Sequence, residues 1–269
     1  MQKYSVLMTM YIKDNPDYAK LAIDSMLNQT VKTDDFVIVC DGPLNDELNQ
    51  LISFYQTQYN FFNIVRLPQN VGLGAALREG VLVCKNLLIA RMDDDDVAKE
   101  NRCELELKEF EKDDKLSICG SYMNEFDSDI MNPIRIKEVP TEFEHILAFS
   151  KRRNPFNHST VMFKKEDILS IGNYSPMRTN QDVDLWVRAL NNKLKGINIS
   201  QPLVDFRFDS NTYQRRKEWK NVKLLIDVWR NFHKEGYCTL TDYWNVKLVQ
   251  VMMFALPKRV VQWCYDHLR

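Results

Sequence analysis

At 269 residues the chain exceeds a minimal domain but fits one large α/β domain with additions. With 45% apolar and 27% charged residues it has the balance of a protein that buries a sizeable core, which excludes disorder as its resting state. Its 36 basic and 37 acidic residues nearly cancel, so no global positive field exists to hold nucleic acid, and any phosphate binding has to be local. The chain opens on an apolar run at 4–10, a predicted strand and too short for a secretion signal. Up to residue 124, short apolar runs alternate with helix-period segments, as in a parallel sheet flanked by helices. Strands are predicted at 4–10, 36–40, 62–66, 87–91 and 117–124, and helices at 17–28, 45–59, 72–83 and 98–113. In the second helix Leu48, Leu51, Ile52 and Tyr55 recur at i, i+3, i+4 and i+7, a single apolar stripe.

Further along, the turn Asn154-Pro155-Phe156-Asn157 leads through His158 into a β-rich run at 159–163, and a helix with aspartates at its start is predicted at 182–192. Trp186 and Arg188 share that helix, with Trp186 expected in the core. From about Tyr213 the pattern is helical, and Pro257 breaks the final stretch in two. Neither piece has the roughly twenty apolar residues needed to span a bilayer, whereas an interfacial helix lying on anionic lipid is compatible with both. Six cysteines, Cys40, Cys84, Cys103, Cys119, Cys238 and Cys264, show no CxxC pair and read as reduced residues of a cytosolic protein.

In an open α/β sheet the ligand lies beyond the carboxyl ends of the strands. There the sequence is polar in a coherent way: Cys40-Asp41-Gly42-Pro43 after the second strand, Asn70-Val71-Gly72-Leu73-Gly74 after the third, and Asp93-Asp94-Asp95-Asp96 after the fourth. Four consecutive carboxylates repel one another unless solvated or neutralised. They make either an acidic turn in which Asp96 caps the next helix or a seat for Mg²⁺ or Mn²⁺, hard ions that prefer carboxylate and phosphate oxygens. The glycine segment is weak evidence alone and gains meaning only beside those carboxylates. Asp41 suits a turn, or a hydrogen bond from a base or ribose. By themselves His158 reads as a structural group and Arg215 and Arg216 as part of a solvated face before a helical stretch.

Taken in order, segments 5–11, 21–30, Val39-Cys40-Asp41-Gly42, 70–74 and Ala90-Arg91-Met92-Asp93-Asp94-Asp95-Asp96 resemble a family 2 glycosyltransferase of capsule, exopolysaccharide or O-antigen assembly. Segments 153–163 and Asn180-Gln181-Asp182-Val183-Asp184-Leu185-Trp186-Val187-Arg188 extend the resemblance over nearly the whole chain. It implies an α/β GT-A fold: a Rossmann-like nucleotide-sugar half at 1–124, a mixed-sheet acceptor half at 125–212 and a helical extension at 213–269. The implied reaction is transfer with inversion of a hexose-type sugar from a nucleotide diphosphate sugar, a UDP-sugar in this reading, to a hydroxyl of a lipid-linked or oligosaccharide acceptor. Nucleic acid is not an expected partner. The implied place is the cytoplasm, at the inner face of the plasma membrane, with peripheral contact through the C-terminal helices.

By the same resemblance, Thr9, Tyr11 and Asp41 take the base, Asp41 on the uracil N3 hydrogen, and Asn70 and Gly72 line the nucleoside. Arg78, Asp93, Asp94, Arg215 and Arg216 belong to the nucleotide-sugar site. Asp93 and Asp95 occupy the outer positions of a DxD motif and hold Mn²⁺ or Mg²⁺. Asp182 is the general base, and Asn154 and His158 lie in the acceptor or diphosphate region. The chain departs from the family pattern in having Cys40 for an aspartate, Gln181 for a glutamate, Arg78 for an asparagine, and no histidine in segment 203–209. A metal-dependent phosphotransferase or nuclease is the alternative, without a basic surface or a GxxxxGK[ST] loop to support it. A non-catalytic nucleotide-binding module would leave Asp182 and the second half without a task.

Overall fold

Strands β1 (Tyr4–Met10), β2 (Phe36–Cys40) and β4 (Leu88–Arg91) are buried almost throughout, which is why they read as continuous apolar runs rather than alternating ones. The computed structural model describes residues 2–208, 218–257 and 260. β1 pairs in parallel with β2 and with β4, and β2 with the more open edge strand β3 (Phe62–Arg66). Beyond β4 the direction reverses. The short β8 (Met162–Lys164) runs antiparallel to both β4 and β6 (Leu116–Phe126), carrying the sheet without a break from the first half into the second. The strand order is β3-β2-β1-β4-β8-β6-β9-β5, with β9 (Lys195–Arg207) parallel to β6, β5 (Val97–Ala98) antiparallel to β9, and β7 (Arg135–Lys137) beside β6.

Alternate residues of β1 enter different cores, as the period of two requires. Leu7 joins Val37, Val39 and helix α3 (Leu73–Val83) on one face. Val6, Met8 and Met10 join α1 (Pro16–Leu27), α2 (Asp46–Gln58) and α4 (Arg102–Lys112) on the other. Helix α3 lies so close to the sheet that a Cβ on Gly80 would stand 2.3 Å from Leu7 Cδ1 and 2.8 Å from Val39 Cγ2. Asn15 and Asn45 cap α1 and α2 with their side-chain oxygens. Helices α5 (Phe143–Ser150), α6 (Lys165–Ser170) and α7 (Gln181–Asn191) complete the core around Trp186, which is fully buried.

Two expectations are corrected. The helix predicted at 98–113 starts only at Arg102, because Val97 and Ala98 are taken by β5 in pairing with Asp205 and Val204. Asp96 therefore precedes a strand and caps no helix. The β-rich run at 159–163 divides into a 3₁₀ turn (His158–Thr160) and β8. Five of the cysteines are buried free thiols, and Cys264 lies outside the described residues.

The C-terminal part forms α8 (Trp219–Lys234) and α9 (Leu240–Ala255). Val222, Ile226, Trp229 and Phe232 of α8 and Tyr243 and Val246 of α9 join the core around Trp186, and Trp229 Nε1 donates to the Lys151 carbonyl at 2.8 Å. Trp244, Leu248, Val251, Met252 and Phe254 of α9 remain exposed. No helix among the described residues is long and apolar enough to cross a membrane.

Candidate active site

Because β1, β2 and β4 are parallel, their carboxyl ends share one edge of the sheet. At the end of β2, Asp41 accepts from the Val71 amide at 2.7 Å, the Gly72 amide at 3.0 Å and Asn70 Nδ2 at 2.9 Å. The Gly74 amide donates to the Met177 carbonyl at 3.0 Å. Asp41 and Met177 thus take amides that the start of a helix otherwise offers to an anion. Gly72 has φ +97°, and a Cβ there would lie 2.6 Å from Arg178 Cγ, so the turn admits only glycine. Arg178 in turn donates to Asn70 Oδ1 at 2.6 Å and to its carbonyl at 3.0 Å, joining this turn to the segment before α7. Thr9 is half-buried near the end of β1 and Tyr11 is exposed just beyond, its amide on Asp14. Arg78 is turned to the Gly172 and Tyr174 carbonyls at 2.8 and 3.2 Å, where it braces α3.

After β4, one oxygen each from Asp93, Asp95 and Asp96 lie within 4.8 Å of one another. Three arginines fix this loop. Arg91, 1% exposed, pairs with Asp93 Oδ1. Arg102, fully buried with Glu106, donates to the Arg91 carbonyl at 2.8 Å. From the end of β9, the Arg207 amide donates to Asp96 Oδ1 at 2.9 Å and its Nε to the Asp95 carbonyl at 3.2 Å, with the guanidinium between the rings of Tyr18 and Phe126. Burial, and then Asp95 and Asp93, push the Asp96 carboxyl well above the carboxylate range. Asp94 faces elsewhere: burial and then Asp14 push its carboxyl up as well. Three crowded carboxylates, with Asp96 Oδ2 buried and lacking a hydrogen-bond partner, fit a hard divalent cation bound through oxygen.

On the other side of Arg91, Asn180 takes a left-handed conformation (φ 62°) that starts α7 and sets Asp182 in its first turn. Asn154 Nδ2 donates to Asp182 Oδ2 at 2.6 Å. Burial raises the Asp182 carboxyl above its ordinary range, opposed by the first-turn amides and by the charges of Arg91 and Lys137. Asp184 is differently placed, bound by Arg188 Nη2 at 2.7 Å and Nε at 2.9 Å, and Arg188 continues to the Ile171 and Asn173 carbonyls. That arrangement ties α7 to the preceding loop. His158 Nε2 meets the Tyr174 hydroxyl at 2.9 Å, its ring edge-on to Trp186, and burial together with Arg91 holds it neutral.

The structure therefore brings together Asp41 with Asn70 and Gly72, Asp93 with Asp95 and Asp96, and Asn154 with Asp182, and it places the charge of Arg91 between the last two groups. Arg215 and Arg216 lie outside the described residues. Sequence reasoning missed Arg91, Arg178 and Arg207. Only Arg91 had a local signal, a cation at the end of an apolar strand.

Residues 5–170 match the profile of Glycosyl transferase family 2. A UDP-Gal:alpha-D-GlcNAc-diphosphoundecaprenol beta-1,3-galactosyltransferase of Escherichia coli is 36% identical over 255 residues, covering 95% of this chain and 92% of that protein. The amylovoran biosynthesis glycosyltransferase AmsE of Erwinia amylovora is 29% identical, covering 98% of both. Among solved structures, TarS (residues 1–349) of S. aureus superposes with a TM-score of 0.68 at 14% identity, covering 98% of this chain and 78% of that one. The mannosyltransferase PcManGT of Pyrobaculum calidifontis, solved with GDP-Man and Mn²⁺, superposes with a TM-score of 0.68 at 13% identity, covering 99% and 80%. These likenesses identify the architecture as the GT-A fold, with the mixed sheet described above. The strand-end aspartates, the sheet that joins two halves and the match over most of the chain lead to one conclusion: this chain belongs to glycosyl transferase family 2.

Proposed function

We propose that this glycosyltransferase moves a hexose-type sugar from a UDP-sugar to a hydroxyl of a lipid-linked saccharide in surface polysaccharide assembly, with inversion. The observation that carries this reading is the Asp182 carboxylate, held by Asn154 in the first turn of α7 and sharing the field of Arg91 with Asp93 and Asp96. Support for the donor and acceptor comes from the E. coli relative, whose name gives UDP-Gal and a diphosphoundecaprenol-linked GlcNAc. AmsE supports the assignment to surface polysaccharide.

Asp93 and Asp95 would hold Mn²⁺ or Mg²⁺, which when bound stabilises negative charge on the leaving diphosphate. Asp182 takes the proton of the acceptor hydroxyl as the new bond to the anomeric carbon forms and the bond to the diphosphate breaks, so a sugar configured α in the donor becomes β in the product. Asn154 aims the carboxylate, and Arg91 favours its ionised form. Asp41, 6% exposed and engaged by the 70–72 turn, keeps one lone-pair position on Oδ1 for a base N–H. Asn70 and Gly72 line the nucleoside, and Arg215 and Arg216 neutralise the departing diphosphate. The enzyme would act at the cytoplasmic face of a membrane, through the exposed apolar side chains of α9.

A panel of nucleotide sugars tests the proposal: one UDP-sugar is expected to raise the melting temperature, and only with Mn²⁺ or Mg²⁺ present. A GDP-sugar that stabilises instead, or full transfer in the presence of a chelator, would overturn the donor or the metal assignment respectively.

A further inference from the structure

Asp96 is the last of the four aspartates and stands one residue before β5, with its side chain fully buried. Its Oδ1 accepts the Arg207 amide, while its buried Oδ2 has no hydrogen-bond partner. The Ser159 hydroxyl lies near enough to favour the charged form but brings no charge of its own. Arg91, a buried cation of the same loop, is paired with Asp93, and its field reaches Asp96 without a hydrogen bond to it. A buried carboxylate oxygen with no hydrogen-bond partner is unfavourable, so such an oxygen in a native protein needs a proton or a cation directly beside it.

We propose that Asp96 is a third protein ligand of the divalent ion and closes its coordination shell from the buried side. This rests on the metal-dependent reading given above and deepens it. The geometry favours a shared ion. Oxygens bound at about 2.1 Å around an octahedral ion lie about 3 to 4.2 Å apart, so three oxygens already within 4.8 Å need to contract only slightly. Position favours it too. Asp93 and Asp95 are half-buried at the mouth of the loop, Asp96 is beneath, and the Arg207 amide fixes Asp96 through the oxygen that a ligand role does not require. His158, the histidine in the same region, is occupied with Tyr174, which leaves Asp96 to supply the third donor.

The test measures binding of Mn²⁺ alone, followed by the loss of its free electron paramagnetic resonance signal, with thermal unfolding alongside. Asp96→Asn keeps an acceptor for the Arg207 amide but removes the charge. Mn²⁺ affinity is expected to fall at least tenfold while the fold is retained. Asp96→Cys should lose Mn²⁺ and bind Cd²⁺ with the ultraviolet band of a metal thiolate, because a thiolate prefers the softer ion. A structural carboxyl produces no such band. This second variant keeps the inference testable if Asp96→Asn fails to fold. Wild-type Mn²⁺ affinity in Asp96→Asn, or Cd²⁺ binding by Asp96→Cys without the thiolate band, overturns the ligand role and leaves Asp93 and Asp95 standing. A wild-type protein that binds no Mn²⁺ overturns the metal assignment itself.

Discussion

Asp182 and Asp184 differ by two positions and have separate tasks, because the first turn of α7 aims them differently. Asp184 is neutralised by Arg188, whereas Asp182 is held by a neutral amide and remains available to a proton. Asp182→Asn is expected to lower single-turnover transfer by about a hundredfold or more, the usual contribution of a positioned base, with donor affinity unchanged. The sign of the stability effect follows from linkage. Burial raises this carboxyl's folded pKa, so it favours the folded state at acid pH and that contribution is lost as pH rises through the raised value. At neutral pH the neutral asparagine should therefore not lower the melting temperature. A capping residue would behave oppositely, costing about 1 kcal/mol of stability and leaving turnover near normal. Transfer should also fall as pH drops below the raised Asp182 value, and Asn154→Ala should move that acid limb to higher pH, since it removes a bond to the ionised form. A pH profile of single-turnover rates for the two proteins checks this. In the Asp93–Asp96 loop, the proposed metal role predicts that Asp95→Asn abolishes turnover and that Asp94→Asn is much milder, because Asp94 faces Asp14. Equal losses, measured with saturating Mn²⁺, would contradict the assignment.

At the level of elements, Gly80 sets the distance between α3 and the sheet. Gly80→Ala places a methyl group against Leu7 and Val39, in a core with no room to yield, and should cost about 1–3 kcal/mol in a urea unfolding experiment. Native-like stability would mean that α3 can lift off the sheet, and with it the 70–72 turn. The parallel strands β1, β2 and β4 were legible because burial on both faces leaves them mostly apolar, with Ser5 and Thr9 of β1 and the terminal Arg91 of β4 as exceptions. β5 was not, since two residues carry no period, and its partner Val204–Asp205 lies more than a hundred residues away in sequence. The start of α4 was misplaced for the same reason: a distant strand claimed residues whose local pattern continued a helix.

The whole molecule turns the exposed apolar side of α9 outward, and Lys247 lies beside it, over Tyr243 and Trp244. An apolar surface with neighbouring cations favours an anionic bilayer surface, and such attachment weakens with salt. Replacing Leu248 and Met252 by asparagine should reduce sedimentation with anionic liposomes and leave nucleotide-sugar binding intact. Unchanged sedimentation would assign α9 a purely structural role beside α8.

By itself the sequence determined the order of strands and helices in the first half apart from β5, the carboxylates at the strand ends and the family to which they point, because these are local patterns repeated along the chain. It also marked Asp93, Asp95 and Asp182 by their place within motifs. Apart from Arg91, two positions from its partner Asp93, only the tertiary structure decided which cations brace these loops. Arg178 meets Asn70 across 108 positions and Arg207 Nε meets the Asp95 carbonyl across 112, and Arg78, read as a donor residue, is turned instead to the Gly172 and Tyr174 carbonyls. The physical reason is that a long side chain pairs with whatever the fold brings within hydrogen-bond reach, and that depends on the packing of β9 and the segment before α7 rather than on any neighbour in the chain.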